Sequence, residues 1–251
     1  MAFPLSLDEP AQVLITGASR GIGAALVQQL LALPEVAGVH AVARNWPQTD
    51  ATDERLCRYA VDLTDPAQLA EMAQQLQQQT ERLHLVINCA GFLHQPDGQQ
   101  PEKSLQQIEL AALEHSFRIN AFAPILLAQA LLPLLRGKHR SSFASLSARV
   151  GSMGDNHLGG WYAYRASKAA QNMLLRTFAI EWHRLNRNGC CLLLHPGTTD
   201  TGLSKPFQAR VPEGKLFTPD YVAERLLAVI AEHGPEDSGQ FYAWDGQPVP
   251  W

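Results

Sequence analysis

Short apolar runs alternate along this chain with longer stretches in which apolar residues return every three or four positions. The runs predict strands over residues 12–16, 38–43, 83–88, 141–147, 190–195 and 240–244, with a weaker one over 56–61. The three-to-four spacing predicts helices over 22–33, 66–79, 105–135, 161–185 and 219–232. Pro66 suits a first helical turn, and the stretch from Asn120 to Pro124 should bend or divide the helix that contains it. Residues 91–101, rich in Gly, Pro and Gln, read as a loop, and the glutamines of 74–79 as a solvated helix face. Strands alternating with helices imply an α/β architecture: a Rossmann-like, doubly wound parallel sheet in a single domain over 1–251. Ligands of such sheets sit beyond the C-terminal strand ends. That places a cofactor half in about residues 1–150 and a catalytic and substrate half in about residues 151–251.

The first strand runs into Thr16-Gly17-Ala18-Ser19-Arg20-Gly21-Ile22-Gly23, which then opens a helix. Gly17, Gly21 and Gly23 let the backbone turn tightly and approach a pyrophosphate, while the free N–H groups of Ser19, Arg20 and Ile22 face it at the positive end of the helix dipole. An acid about 20 residues further on would hold the free ribose hydroxyl of NAD. Here that place reads Ala41-Val42-Ala43-Arg44-Asn45, with no acid. Arg44, with Arg20 as a second cation, suits a 2′-phosphate, so the expected cofactor is NADP(H).

Tyr164 and Lys168, four apart on a predicted helix, share a face. A free phenol ionises near about 10, and a neighbouring ammonium lowers that value by favouring the phenolate. Such a pair can trade a proton with a carbonyl oxygen. Tyr162 competes for the role, but four residues on from it lies Ala166.

Composition narrows the partners. Of 251 residues, 46% are hydrophobic and the formal net charge is −4, with no Lys/Arg block, so neither nucleic acid nor an anionic membrane is an expected partner. The N-terminal ten residues lack the basic start and apolar run of a secretory signal. The most apolar stretch, 121–135, is interrupted by Pro124, Gln129 and Pro133, which argues against a membrane span. Cys57, Cys89, Cys190 and Cys191 match no disulfide or zinc spacing, and a reducing cytoplasm is the expected location. The nine histidines form no HExxH array, so no metal is expected, and no Ser-His-Asp order with a nucleophile elbow is present.

The TGxxxGxG turn, Asn88-Cys89-Ala90-Gly91, Asn120, Tyr164-Arg165-Ala166-Ser167-Lys168 and Pro196-Gly197 occur in an order that resembles the short-chain dehydrogenase/reductase family. The resemblance covers nearly the whole chain and implies a hydride-transferring oxidoreductase. It implies adenine contacts from Asp62 and Leu63, cofactor contacts from Asn88, Ala90 and Gly91, and a water-positioning role for Asn120. It further implies a nicotinamide ribose held by Tyr164 and Lys168, and carboxamide contacts from Pro196, Gly197, Thr199 and Thr201. The family also places a serine thirteen residues before the tyrosine, in a Ser-X-X-Gly string, to polarise the carbonyl. Here that position is Gly151, and the residue three before Gly151 is Ala148. Ser147 is the nearest hydroxyl and the expected substitute, with Ser145 and Ser152 as alternatives.

The long loop Gly151-Ser152-Met153-Gly154-Asp155-Asn156, the following Gly159-Gly160-Trp161-Tyr162, and the ending Phe241 to Trp251 resemble the branch containing C-factor-like proteins and sniffer-type carbonyl reductases. That branch implies a small carbonyl substrate, an aldehyde or ketone, or alternatively an NADP-binding signalling protein with little catalysis. Nucleotide-sugar epimerases differ in having TGxxGxxG spacing and a longer C-terminal region. Phe92, Leu93, Met153, Trp161 and Phe207 are candidate substrate walls, and residues 203–212 a candidate lid. The family's habit of pairing through two long helices implies a homodimer or homotetramer.

Overall fold

The computed structural model describes residues 2–47, 53–95 and 98–251. The expected loop over 91–101 therefore lies partly outside the described residues. Seven parallel strands form one sheet in the order β3-β2-β1-β4-β5-β6-β9. They are β1 (Ala11–Thr16), β2 (Val36–Ala43), β3 (Leu56–Ala60), β4 (Leu85–Asn88), β5 (Ser141–Leu146), β6 (Gly189–His195) and β9 (Gln240–Ala243). Two further two-residue strands, β7 (Thr198–Thr199) and β8 (Leu216–Phe217), pair beside it. Strand order reverses between β1 and β4, so the crevice for a ligand opens there.

Among the described residues six α-helices cover the sheet: α1 (Gly21–Leu31), α2 (Pro66–Gln79), α3 (Leu110–Phe117), α4 (Ala123–Leu135), α5 (Tyr162–Leu185) and α6 (Pro219–Glu232). Alternate strand residues point to opposite faces, and the two cores follow that parity. Val13, Ile15, Leu85, Ile87, Ala144, Leu192 and Leu194 pack under α1 and α6. Leu14, Val86, Phe143, Cys191 and Leu193 pack under α2, α4 and α5.

The expected bend takes a specific form. Residues Arg118–Phe122 make a π turn that joins α3 to α4 without breaking the rod, and Pro124 follows it directly in α4. Taken together, Leu110–Leu135 is 26 residues long and apolar enough to cross a membrane by length and hydropathy, which the sequence reading did not anticipate. Half of its apolar 18-residue window is buried within the fold, with Leu127, Leu131 and Leu135 in the core, which is how a core helix behaves. All four cysteines are free.

Candidate active site

Three close approaches assemble the cleft. Gly17 has φ +64, and a Cβ there would lie 3.0 Å from the backbone of Cys89 and Ala90. A Cβ on Gly23 would collide with the carbonyl oxygen of Gly17. Glycine is therefore required for the turn to close against the end of β4. A Cβ at Gly21 would sit 3.1 Å from the Thr201 methyl, so the segment after β6 lies directly over the turn. Finally, a Cβ at Gly91 would be 3.7 Å from Asn120 Oδ1 and 3.8 Å from Lys168 Nζ. Residues scattered from 17 to 201 thus meet at the strand ends.

The cofactor-binding candidates fall along this crevice. Arg20 occupies the position before α1, and Arg20 and Arg44 are exposed, with no ion pair among the described residues. Ile22 packs on the core below α1. Asp62 is half-buried and accepts bonds from the Thr64 N–H and hydroxyl, beside buried Leu63. After β6, Pro196 and Gly197 (φ +73) turn the chain into Thr198–Thr199. Thr199 is 4% exposed and its Oγ1 is buried with no partner. A buried hydroxyl left unpaired costs free energy unless something bonds it. The glycine cradle, the unpaired arginines and this orphaned hydroxyl fit a dinucleotide with an amide at its reactive end.

A row of polar residues underlies the centre. Thr16, Asn88 and Ser145 are register partners across β1, β4 and β5, all fully buried on one face. The Thr16 hydroxyl donates to Asn88 Oδ1 (2.6 Å), and Asn88 Nδ2 donates to Ser145 Oγ (2.8 Å). Asn88 is therefore structural as well as adjacent to the crevice. Asn120, fully buried in the π turn, clamps the chain after β4 from both sides: it accepts from Phe92 N–H and donates to Phe92 O, each at 2.8 Å, and donates to Ser167 Oγ at 3.0 Å.

Tyr164 and Lys168 stand one turn apart near the start of α5, with the Lys168 ammonium 6.0 Å from the Tyr164 ring centre. The phenol hydroxyl makes no hydrogen bond among the described residues. Burial raises the tyrosine's pKa above its ordinary value. Burial also lowers that of Lys168 to about 7. Its Nζ donates to Leu146 O and to Gln171 Oε1, both at 2.8 Å. Gln171, fully buried, then donates to Ser145 Oγ (2.8 Å) and Leu146 O (3.1 Å). Sequence reasoning missed Gln171; an amide three residues after the lysine, on the buried face of the helix, was the available signal.

Ser147 does not take the expected place. It is 3% exposed, and its hydroxyl donates to Asn172 Oδ1 at 2.6 Å, an O–H···O distance. The side chain follows the parity of Phe143 and Ser145 toward α5, so its hydroxyl is engaged inside the fold, against an amide whose Nδ2 is buried with no partner. Ser145 is bonded by Asn88 and Gln171, and Ser152 accepts from Asp155 N–H. None of the three bonds Tyr164.

Aromatic rings gather beside Tyr164. Trp161 lies 4.9 Å from Phe207 and 6.2 Å from Tyr164, and His94 lies 5.5 Å from Phe207, between ring centres. Phe207 belongs to the short helical turn Lys205–Arg210 within the expected lid. Of the expected walls, Leu93 is core and Met153 is 75% exposed, so neither lines this ring. Trp161 adopts φ +54, the one positive value at a non-glycine among the described residues. Glu102 pins it there: the Glu102 carbonyl accepts Trp161 N–H, and the buried carboxylate accepts Ala163 N–H. Arg165 ties the preceding loop to the helix through Gly159 O, Gly160 O and Val150 O.

A family model described as short chain dehydrogenase matches residues 11–211. The chain belongs to the short-chain dehydrogenase family. It is 31% identical to 1-hydroxy-2-glutathionyl-2-methyl-3-butene dehydrogenase of Rhodococcus sp. strain AD45, covering 95% of this chain and 99% of that one. It is 37% identical to the C-signal of Myxococcus xanthus over 59% of this chain and 84% of that one. Among solved structures, the NADPH-bound carbonyl reductase from chicken fatty liver superposes with a TM-score of 0.84 at 27% identity, covering 98% and 96% of the two chains. The short-chain dehydrogenase is thus an oxidoreductase by family, with a C-signal and a carbonyl reductase among its relatives.

Proposed function

We propose that this short-chain dehydrogenase is an NADPH-dependent carbonyl reductase that converts an aldehyde or ketone to an alcohol. The observation that carries the reading is the Tyr164 phenol, which makes no hydrogen bond among the described residues and stands one helical turn from the buried Lys168 ammonium, beside the Trp161 ring. The Tyr164 O–H would donate its proton to the carbonyl oxygen, and the Lys168 charge would stabilise the phenolate left behind. Bound nicotinamide supplies the hydride. Thr199 Oγ1 would hold its carboxamide, and Arg44 with Arg20 would meet the 2′-phosphate. Trp161 and Phe207 favour planar, apolar groups beside the carbonyl. With the Ser147 hydroxyl engaged by Asn172, Tyr164 would polarise the substrate alone.

That same missing hydroxyl, together with the likeness to the C-signal, supports a second reading: an NADP-binding signalling protein. Following NADPH absorbance with a panel of aldehydes, diketones and quinones separates the two. Turnover in the wild type that falls roughly 10²–10⁴-fold in Tyr164→Phe is expected for a reductase. Tight NADPH binding with no turnover on any member of the panel would favour signalling. Turnover with NADH equal to that with NADPH would overturn the role given to Arg44.

A further inference from the structure

We propose that Gln171 is a positioning residue for the proton-transfer pair: it fixes the Lys168 ammonium so that its remaining N–H faces the cleft, and ties it to the polar row beneath the crevice. The proposal rests on the reductase reading for its kinetic consequences, but not for its geometry.

A fully buried glutamine on the inner face of a helix is costly unless its donors and acceptor are used. Here each is. Oε1 accepts from Lys168, and the two N–H groups of Nε2 are matched by Ser145 Oγ and Leu146 O. An ammonium has three N–H groups. Two are taken by Leu146 O and Gln171 Oε1, both on the protein side. The third is left for the gap beside Gly91, where a single Cβ would lie 3.8 Å from Nζ, next to Asn120. A leucine of similar size would remove one acceptor and leave Lys168 free to swing about its Leu146 bond. The bonds continue from Gln171 through Ser145 and Asn88 to Thr16, the residue that enters the glycine turn. Lys168 is therefore registered against the strand that presents the cofactor crevice, not only against its own helix.

Gln171 also bears on the charge state of Lys168. The titratable group facing the ammonium is Tyr164, on the same helix. From β5 it meets the Leu146 carbonyl, and from the chain after β4 and the π turn it meets Gly91 and Asn120, all uncharged. No carboxylate pairs with it among the described residues. The amide oxygen of Gln171 is thus the side-chain acceptor that favours the charged form against burial, and its loss should lower the pH at which the ammonium is lost.

The test uses Gln171→Met, which keeps volume without the acceptor, and Gln171→Glu, which keeps an acceptor and adds charge. Two readouts are taken: the pH profile of kcat/KM for reduction, and the Lys168 Nζ titration in 15N-lysine-labelled protein without cofactor, assigned with Lys168→Arg. The expected result is an alkaline limb and an Nζ titration moved about one unit down in Gln171→Met and up in Gln171→Glu, with KM for NADPH changed less than about threefold. Superimposable titrations in all three proteins would overturn the proposal. If the wild type turns over no substrate, the reductase reading fails while the Nζ titration still decides the role of Gln171. If Gln171→Met does not fold, an Nζ titration unmoved in Gln171→Glu overturns the proposal by itself.

Discussion

Individual side chains divide into those whose spacing announces them and those known only by their partners. Tyr164 and Lys168 belong to the first kind, because a four-residue step on a helix puts both on one face. Ser147 belongs to the second. Its neighbours in sequence suggested a polarising hydroxyl, but strand parity turns it toward Asn172, and a pairing 25 residues away has no local signature. Ser147→Ala is accordingly expected to leave kcat within about fivefold while lowering stability by about 1–3 kcal/mol, since it strands Asn172 Oδ1 in the interior. Chemical denaturation alongside the NADPH assay checks both. A drop of kcat as large as that of Tyr164→Phe would return Ser147 to the catalytic set. Thr199→Val makes the opposite case. It removes a hydroxyl that has no partner within the fold, so stability should hold or rise slightly, and NADPH affinity measured by fluorescence should fall roughly 5–20-fold.

Among the elements, helices and strands were readable from periodicity to within a few residues, and their junctions were not. The start of α5 shows why. Trp161 takes a left-handed backbone where Glu102, 61 residues before Ala163, bonds the N–H groups of Trp161 and Ala163. Nothing near Trp161 encodes that partner. Glu102→Ala keeps the carbonyl bond to Trp161 and removes only the carboxylate that accepts Ala163 N–H, so it should cost about 1–2 kcal/mol, as a lost cap does, and, with Tyr164 the next residue, lower kcat with little change in NADPH affinity. Thermal melts and steady-state kinetics read the two effects, and an unchanged kcat would show that the cap is purely structural. The π turn at Asn120 was foreseen as a bend, but its purpose is visible only in the clamp on Phe92.

At the scale of the molecule, the parallel sheet, its order and its two cores follow from the alternation of elements, which is why fold class was the most readable property. Buried histidines within that sheet were not readable as such. His40 on β2 is 3% exposed, its Nε2 lies 3.2 Å from Gln12 Oε1, and burial lowers its pKa to about 4. The unfolded chain would bind the proton near pH 6.5 and the fold resists it, so this contribution is complete above about pH 6.5 and is lost as pH falls through about 4. His195, lowered to about 4 mainly by burial, acts in the same window and the same direction. Stability should fall by about 2–3 kcal/mol per such histidine across that interval. Urea midpoints measured from pH 7 to pH 4 test this, and a His40→Gln protein should show a shallower slope.

Arg165 carries a consequence for which molecules the enzyme can tolerate. Because its guanidinium binds carbonyls at both ends of the 150–160 loop to the residue next to Tyr164, that flank moves only if the phenol moves with it. Adaptation to bulk must come from the opposite flank, where Lys205–Arg210 meets the cleft through the Phe207 ring and its side-chain bonds among the described residues run only to Asp200 and Ser204, just before it in the chain. Selectivity should therefore be reshaped by exchanging residues 203–212 for longer or shorter sequences, while grafts into 150–160 would forfeit turnover before they altered preference.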